Sequence, residues 1–470
     1  MNHVITPALA SPLGADGRRL TIAQQAAQIE AGAATSAARV DACLARIADP
    51  QGEGKRVFIK VWDQQARQVA AAQDSLLSAG YRASPLAGVP VSIKDLLDIK
   101  GEVTRAASIA LDDAPAARCD APVVQRLKAA GAVLVGRTNM TQFAFSVVGL
   151  NAHFGTPGNP WDRTRIPGGS SSGAAVSVAD DMATAAIGSD TVGSIRVPAA
   201  LCGIVGFKPT QRTVPLGGTI PLSTTLDSIG PMAHTVADCA EVYAVIAGET
   251  TQPLDLGVKG LRLAIPREVV LDDLDAEVAR VFESACSAIS AAGADLSTES
   301  FPALAAVHAL NGNGVIQPAE ALSWHRDLLR RRGQDYDPRI KARIETGLRI
   351  QASDYIAMLE RRQQLIEAFD EATKHYDALI MPTVAIVAPT FDECANAEDA
   401  IRTRLLRNAA PFNFLDRCAI SLPIHRPGDA PVGLMLVGRR GGDWALLKVA
   451  HAIESLFPSL ASRAEARRSR

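Results

Sequence analysis

Between Ile166 and Thr210 the chain reads IPGGSSSGAAVSVADDMATAAIGSDTVGSIRVPAALCGIVGFKPT, a concentration of glycine and serine that ordinary buried cores do not show. Glycine lets a backbone approach a ligand closely, and clustered hydroxyls can attack, carry protons or cap main-chain groups. A serine that attacks an acyl carbon is a weak nucleophile and needs a base within hydrogen-bond reach. The eight histidines have no HExxH or paired spacing, so they offer neither a metal set nor a conventional base. A run such as GGSSSG also forms turns and linkers, and taken alone it allows that plainer reading. Gly169 to Gly173 fits GxSxG, which would put Ser171 on the strand–turn–helix elbow of a serine hydrolase. That elbow needs a buried strand just before it. NPWDRTRIP, with Pro160, Pro167, Asp162, Arg163 and Arg165, is a poor central strand. The phosphate-cradling pattern GxxxxGK[ST] is absent.

The elements that position these residues read as α/β. In GVPVSIKDLLDI, residues 88–99, a short strand puts Val91 and Ile93 on one side and Ser92 and Lys94 on the other. Pro122 can start a helix that Gly131 ends in a left-handed cap, and AVLVG follows as a strand. LRLAIP reads as another strand. Asp275 can cap a helix whose Val278, Val281, Phe282, Cys286 and Ile289 share a face before Gly293. Residues 319–372 read as helical and arginine-rich, and DALIMPTVAIV and PVGLMLVG return to strands. Helix-then-strand repetition of this kind predicts a layered α/β protein. The expected organisation is one domain over 1–470: a helical cover to about 75, a core over about 80–250, an α/β and helical excursion over about 255–375, and a return to the sheet over about 376–470.

Composition bounds the rest. Of 470 residues, 47% are hydrophobic and 21% charged, enough for a large core. The 48 basic and 50 acidic side chains leave a formal charge of −2, which gives no reason to expect nucleic acid or an anionic membrane as partner and favours a small neutral ligand. Seven scattered cysteines, odd in number and never as CxxC, argue against a disulfide framework and a zinc site, and Cys202 in its apolar run reads as core. The first twenty residues lack a secretory pattern and no run of about 18 apolar residues occurs, so a cytoplasmic location is expected. The terminal ARRSR reads as a solvated tail.

Taken with Lys94, the Gly/Ser segment closely resembles the amidase signature family. The resemblance rests on LAGVPVSIKDLLDIKG, PGGSSSGAA and GSDTVGSIRVPAALCGIVGFKPT, with flanking likeness in GRTNMTQFAFSVVG, FGTPGNPWD, LIMPTVAIVAPT and ISLPIHRPGDAPVGLMLVGR. It spans nearly the whole chain and is weakest over about 300–375. It implies a large mixed β-sheet flanked on both faces by helices. It also implies a catalytic triad at Lys94, Ser170 and Ser194, the two serines standing 194 − 170 = 24 positions apart, with a cis peptide at Gly169–Ser170. On that reading Ser194 attacks an amide carbonyl, Lys94 acts through Ser170 as base, and main-chain N–H groups of Thr191, Val192, Gly193 and Ser194 receive the oxyanion. Ser171, Asp190 and Arg196 are read as supports, no metal or cofactor is expected, and a homodimer is left open.

The implied activity is hydrolysis of a small carboxamide through an acyl-enzyme. Two other readings stay open: the catalytic subunit of a tRNA-dependent amidotransferase, and a silent binding protein keeping the fold. Against the first stand the near-neutral charge and IRTRLLRNAAPFNFLDRC, which lacks the acidic residue those subunits carry before their closing motif. Against the second stand the intact Lys94, Ser170 and Ser194. Two positions depart from the usual family pattern. Val192 stands where many members have glycine, which is expected to shrink the acyl pocket, and Gln142 stands where glutamate is frequent, removing a carboxylate near the site's wall.

Overall fold

The computed structural model describes residues 20–311 and 314–457. The N-terminal stretch read for a leader and the ARRSR tail lie outside the described residues. Among the described residues, eleven strands form one sheet. In chain order they are β1 (Phe58–Val61), β2 (Pro90–Lys94), β3 (Val133–Thr138), β4 (Ala185–Asp190), β5 (Val205–Lys208) and β6 (Ser228–Ala233). They continue with β7 (Arg262–Pro266), β8 (Asp295–Glu299), β9 (Ala378–Pro382), β10 (Ala419–Pro423) and β11 (Gly433–Val437). Across the sheet the order is β1-β3-β2-β4-β6-β5-β10-β11-β9-β7-β8. The sheet is mixed: β2 runs parallel to β3 and β4, β7 to β8 and β9, and the centre around β6, β5, β10 and β11 is antiparallel.

Helices cover both faces, as the alternation of side chains requires. In β9 and β11, Ile380, Leu434 and Leu436 join a core with the helices Val236–Ala247, Ala276–Ala291 and Asp443–Glu454. Their neighbours Leu379, Met381, Met435 and Val437 face the opposite layer with Phe369 and Phe412. In β4, Ala185 and Ile187 face the first core, whereas Ala186 packs with the helices Ser36–Ala48 and Ser172–Ala179. Strands buried on both faces lose the polar alternation that marks a half-exposed strand.

Most elements read from sequence are present. Helix Pro122–Ala129 starts on its proline and Gly131 follows at φ +82°. The helical cover consists of Ile22–Glu30, Ser36–Ala48, Gly54–Val57 and Asp63–Ser78. Two local readings are corrected. Asp275 precedes helix Ala276–Ala291 but its carboxylate makes no cap bond; it accepts from Val387 N (3.1 Å) and Arg404 (2.9 Å), because a charged long-range partner outcompetes the local amide. The strand expected over DALIMPTVAIV ends at Pro382: Thr383 N still donates to Gly433 O (2.8 Å), and the chain then leaves the sheet.

The helix Ser172–Ala179 lies directly against the main chain of Val57 and Asn139. Gly173 N donates to Asn139 O (3.0 Å), and a Cβ on Gly173 would sit 2.5 Å from Val57 O and 2.7 Å from Asn139 O. Both obstacles are backbone. Gly173→Ala is therefore expected to cost about 1–3 kcal/mol, seen as a lower thermal unfolding midpoint; an unchanged midpoint contradicts this close approach.

Candidate active site

β2 and β4 run parallel with Ile93 opposite Ile187, so their carboxyl ends open at the same edge of the sheet. Ligands of open α/β sheets gather at such edges. Lys94 is the last residue of β2, and Ser189 and Asp190 close β4. Ser170 and Ser171 lie just before helix Ser172–Ala179, and Thr191–Ser194 form the turn between β4 and helix Arg196–Cys202. The two turns are tied together by Ser171 N donating to Ser194 O (3.3 Å), and Thr141 N anchors Ser170 O (3.1 Å). The Gly169–Ser170 peptide is cis.

Lys94 is fully buried and its Nζ donates to Ser170 Oγ (2.7 Å) and Ser189 Oγ (2.8 Å). Burial without a directly bonded carboxylate disfavours the ammonium and lowers its pKa to about 7, although the charges of Asp190 and Asp227 oppose the shift. Ser92, on the same side of β2, bonds Ser177 Oγ (2.8 Å) in the neighbouring helix, so the strand face carries polar groups that find partners. Ser194 Oγ differs: it is buried and makes no hydrogen bond among the described residues, as does Ser172 Oγ.

Asp190 shapes the turn. Its carboxylate accepts from Gly193 N (2.7 Å), Ile195 N (3.1 Å), the Arg196 guanidinium (3.0 Å) and Asn413 Nδ2 (2.8 Å). Burial alone would raise its pKa, but Arg196, with Lys208 and Asn413, outweighs this and holds it well below the usual carboxylate range. Arg196 also bonds Ala409 O (3.0 Å) and Asn413 Oδ1 (2.6 Å). Gly193 takes φ +127°, and a Cβ there would meet Ala409 Cβ at 2.8 Å, so the Thr191–Ser194 turn and residues 409–413 are fitted to each other.

The structure thus gathers Lys94, Ser170, Ser194, Ser171, Asp190 and Arg196 in one region. It changes one expectation: the Gly193 N–H is directed to Asp190, so it is not a donor left for an oxyanion. Ser171 Oγ lies against the β4 main chain, 3.2 Å from Ser189 O. Ser189, Asp227 and Asn413 were not singled out from sequence. Asp227 accepts from Thr191 Oγ1 (2.5 Å), Leu222 N (2.9 Å) and Ser223 N (3.1 Å), and burial raises its pKa to about 6. Ser189 lies inside the nucleophile block, and its hydroxyl was the available signal; Asp227 and Asn413 reach the site only through the fold.

Val192 is half-buried and borders a cavity of about 670 Å³ together with Phe145, Leu226 and Phe414. Gln142, expected near the site's wall, is buried. It accepts from Asp337 N (2.8 Å) and donates to Ser108 Oγ (2.7 Å) and Asp335 O (3.3 Å). A carboxylate could not donate to that carbonyl. Among the described residues no group of three or more His, Cys, Asp or Glu is placed to hold a metal ion, and no helix is long and apolar enough to cross a membrane.

Known proteins share this fold and about a third of the sequence over most of the chain. The family model described as Amidase matches residues 38–447. A 2-amino-5-chloromuconic acid deaminase from Comamonas testosteroni is 33% identical over 453 residues, covering 93% of this chain and 96% of that protein. The A subunit of a glutamyl-tRNA(Gln) amidotransferase from Roseiflexus castenholzii is 35% identical over 476 residues, covering 93% and 95%. A crystal structure of an amidase superposes with a TM-score of 0.85 at 30% identity, covering 93% of this chain and all of that one.

Asp190→Asn should leave the Arg196 guanidinium buried without its counter-ion. A loss of about 3–5 kcal/mol is expected on thermal or urea unfolding. A shift near zero contradicts the assignment of Asp190 as the group that holds the turn.

Proposed function

The chain belongs to the amidase family, and from that premise we propose that it hydrolyses a small carboxamide to a carboxylate and ammonia or an amine, with Ser194 as nucleophile and Lys94, acting through Ser170, as base. The observation that carries this reading is the sealed amine of Lys94, 2.7 Å from Ser170 Oγ and with its pKa lowered to about 7. A lysine with a pKa of about 7 is neutral about half the time at pH 7 and can accept a proton, which an ordinary surface lysine, almost wholly protonated there, cannot.

The steps follow from that arrangement. Ser194 Oγ attacks the carbonyl carbon while its proton passes to Ser170 Oγ and the Ser170 proton to Lys94 Nζ. The tetrahedral oxyanion is met by main-chain N–H groups of Thr191, Val192 and Ser194, Gly193 being occupied with Asp190. Collapse breaks the C–N bond as the proton returns along the same path to the leaving nitrogen. Water then attacks the acyl-enzyme, its proton taken by the same base, and Ser194 is released. Ser194 Oγ supports the assignment because it is buried yet committed to no other described group. Ser189 holds Lys94 from its second side and keeps its amine aimed between the two turns.

A second reading is favoured by one observation: a relative named as the A subunit of a glutamyl-tRNA(Gln) amidotransferase shares 35% identity over 93% of this chain. The two readings separate on the purified chain alone. Ammonia release from a panel of aliphatic and aryl amides supports the stand-alone hydrolase, and silence relieved only by added partner proteins supports the other.

Ser194→Ala is expected to lower kcat by about 10³-fold or more with the fold intact by circular dichroism. Ser171→Ala is expected to retain turnover, and the reverse outcome would move the nucleophile to the GxSxG elbow. Because Lys94 must be neutral to work, kcat/KM should rise with pH through about 7 and level above it. A rate that falls over this range contradicts the base assignment.

A further inference from the structure

The lining of the cavity bordered by Val192 is of two chemical kinds. Val192 stands two residues before Ser194, and with Phe145, Leu226 and Phe414 it gives the lining an apolar part. Arg343, Arg349, Arg402 and Arg407 line the same cavity, brought from helix Pro338–Glu345, the turn after it, helix Phe391–Leu406 and the residue that ends it. Among the described residues, the one carboxylate in the lining is Asp354, which is solvent-exposed.

These guanidinium groups are incompletely satisfied. Arg343 Nη2 bonds Glu398 (2.9 Å) and Asp399 (3.2 Å), while its Nη1 is buried without a hydrogen-bond partner among the described residues. Arg402 Nε and Arg407 Nη2 are buried and unpartnered in the same sense; Arg407 Nε reaches only Asn408 Oδ1, at 3.4 Å. Burial and then the charge of Arg343 lower the Arg402 guanidinium to about 10, although Asp399 and Glu398 act in the other direction. Burial also lowers that of Arg407, against the opposing charges of Asp272 and Asp273. Buried N–H groups without acceptors are costly, and an arginine fork is matched in charge and shape to a carboxylate.

We infer that the substrate is an amide that also carries a free carboxylate, which Arg402 and Arg407 hold in this cavity while an apolar connection runs along Val192 towards Ser194. This rests on the amide-hydrolase reading and narrows its substrate class. It departs from the small neutral ligand that overall charge suggested, because a net charge of −2 says nothing about where the positive side chains collect. The reaction stays balanced: water cleaves the C–N bond, the carboxylate in the arginine pocket is unchanged, and the product is a second carboxylate with ammonia or an amine.

The test compares kcat/KM for monoamides of four- to six-carbon dicarboxylic acids and for N-acyl-β-alanines with length-matched neutral amides. The two carboxylate series place the charge on the acyl and the amine side respectively. At least one is expected to exceed its neutral counterparts by about tenfold or more. Arg402→Gln and Arg407→Gln should bring that ratio towards one through KM, and Arg402→Lys should recover part of it. Neutral amides turned over equally well, with a ratio indifferent to both substitutions, would overturn the inference and leave the hydrolase reading standing.

If no amide is cleaved, the hydrolase reading itself fails, and calorimetry decides the pocket separately. Adipamate, the six-carbon monoamide, should bind the Ser194→Ala protein and bind about tenfold more weakly when Arg402→Gln is added. Absence of binding at millimolar concentration, or binding indifferent to Arg402→Gln, overturns the inference.

Discussion

A single buried carboxylate organises this molecule's chemistry. Asp190 ends β4 away from water, where an unpaired charge would be prohibitive, and it is tolerated because the Arg196 guanidinium, Asn413 and the main-chain amides of Gly193, Ile195 and Arg196 surround it. Those same bonds dictate the path of Thr191–Ser194, since the amides of Gly193 and Ile195 are pulled towards the carboxylate on either side of Ser194. Arg196 extends the constraint to Ala409 and Asn413, more than two hundred residues later. The Thr191–Ser194 turn is therefore held by the C-terminal part of the chain as well as by its own strand.

The pairing of Asp190 with Arg196 has a consequence at Lys94. A carboxylate already neutralised by a guanidinium has less to offer the lysine, whose nearest partners are the hydroxyls of Ser170 and Ser189. Desolvation then dominates and the amine loses its preference for a proton. One ion pair fixes the turn, and the incompleteness of charge compensation beside it lowers the lysine's pKa, as the proposed base requires. In the cavity that Val192 borders a similar imbalance recurs: the guanidinium groups of Arg402 and Arg407 keep N–H groups that no acceptor among the described residues meets.

How much of this was legible in sequence depends on how local each signal is. Lys94, Ser170 and Ser194 stand in dense, recognisable blocks, and β7, β9, β11 and helix Pro122–Ala129 follow from periodicity, prolines and glycines. β4, AAIGSD, carried no such signal, because a strand buried on both faces has no polar alternation to read. Asp227 and Asn413 sit in unremarkable stretches and acquire meaning only when β6 and residues 411–414 are folded against β4. Gly193 stands in the same turn as Ser194, but which way its N–H points is set by Asp190, a geometric fact no spacing encodes. Arg343 and Arg349 stand in a stretch read only as helical and arginine-rich, and Arg402 and Arg407 in one noted only for a missing acidic residue; that all four line one cavity is a product of the fold.

The central claim is that Ser194, and no other serine of the Gly/Ser segment, is the activated nucleophile. The most direct measurement is covalent labelling with a sulfonyl fluoride or fluorophosphonate, followed by peptide mapping by mass spectrometry across a pH series. The expected result is a single adduct on Ser194, formed faster as pH rises through about 7 and lost when Lys94 is replaced by alanine. An adduct on Ser171, or one on Ser194 whose rate ignores Lys94, would contradict it.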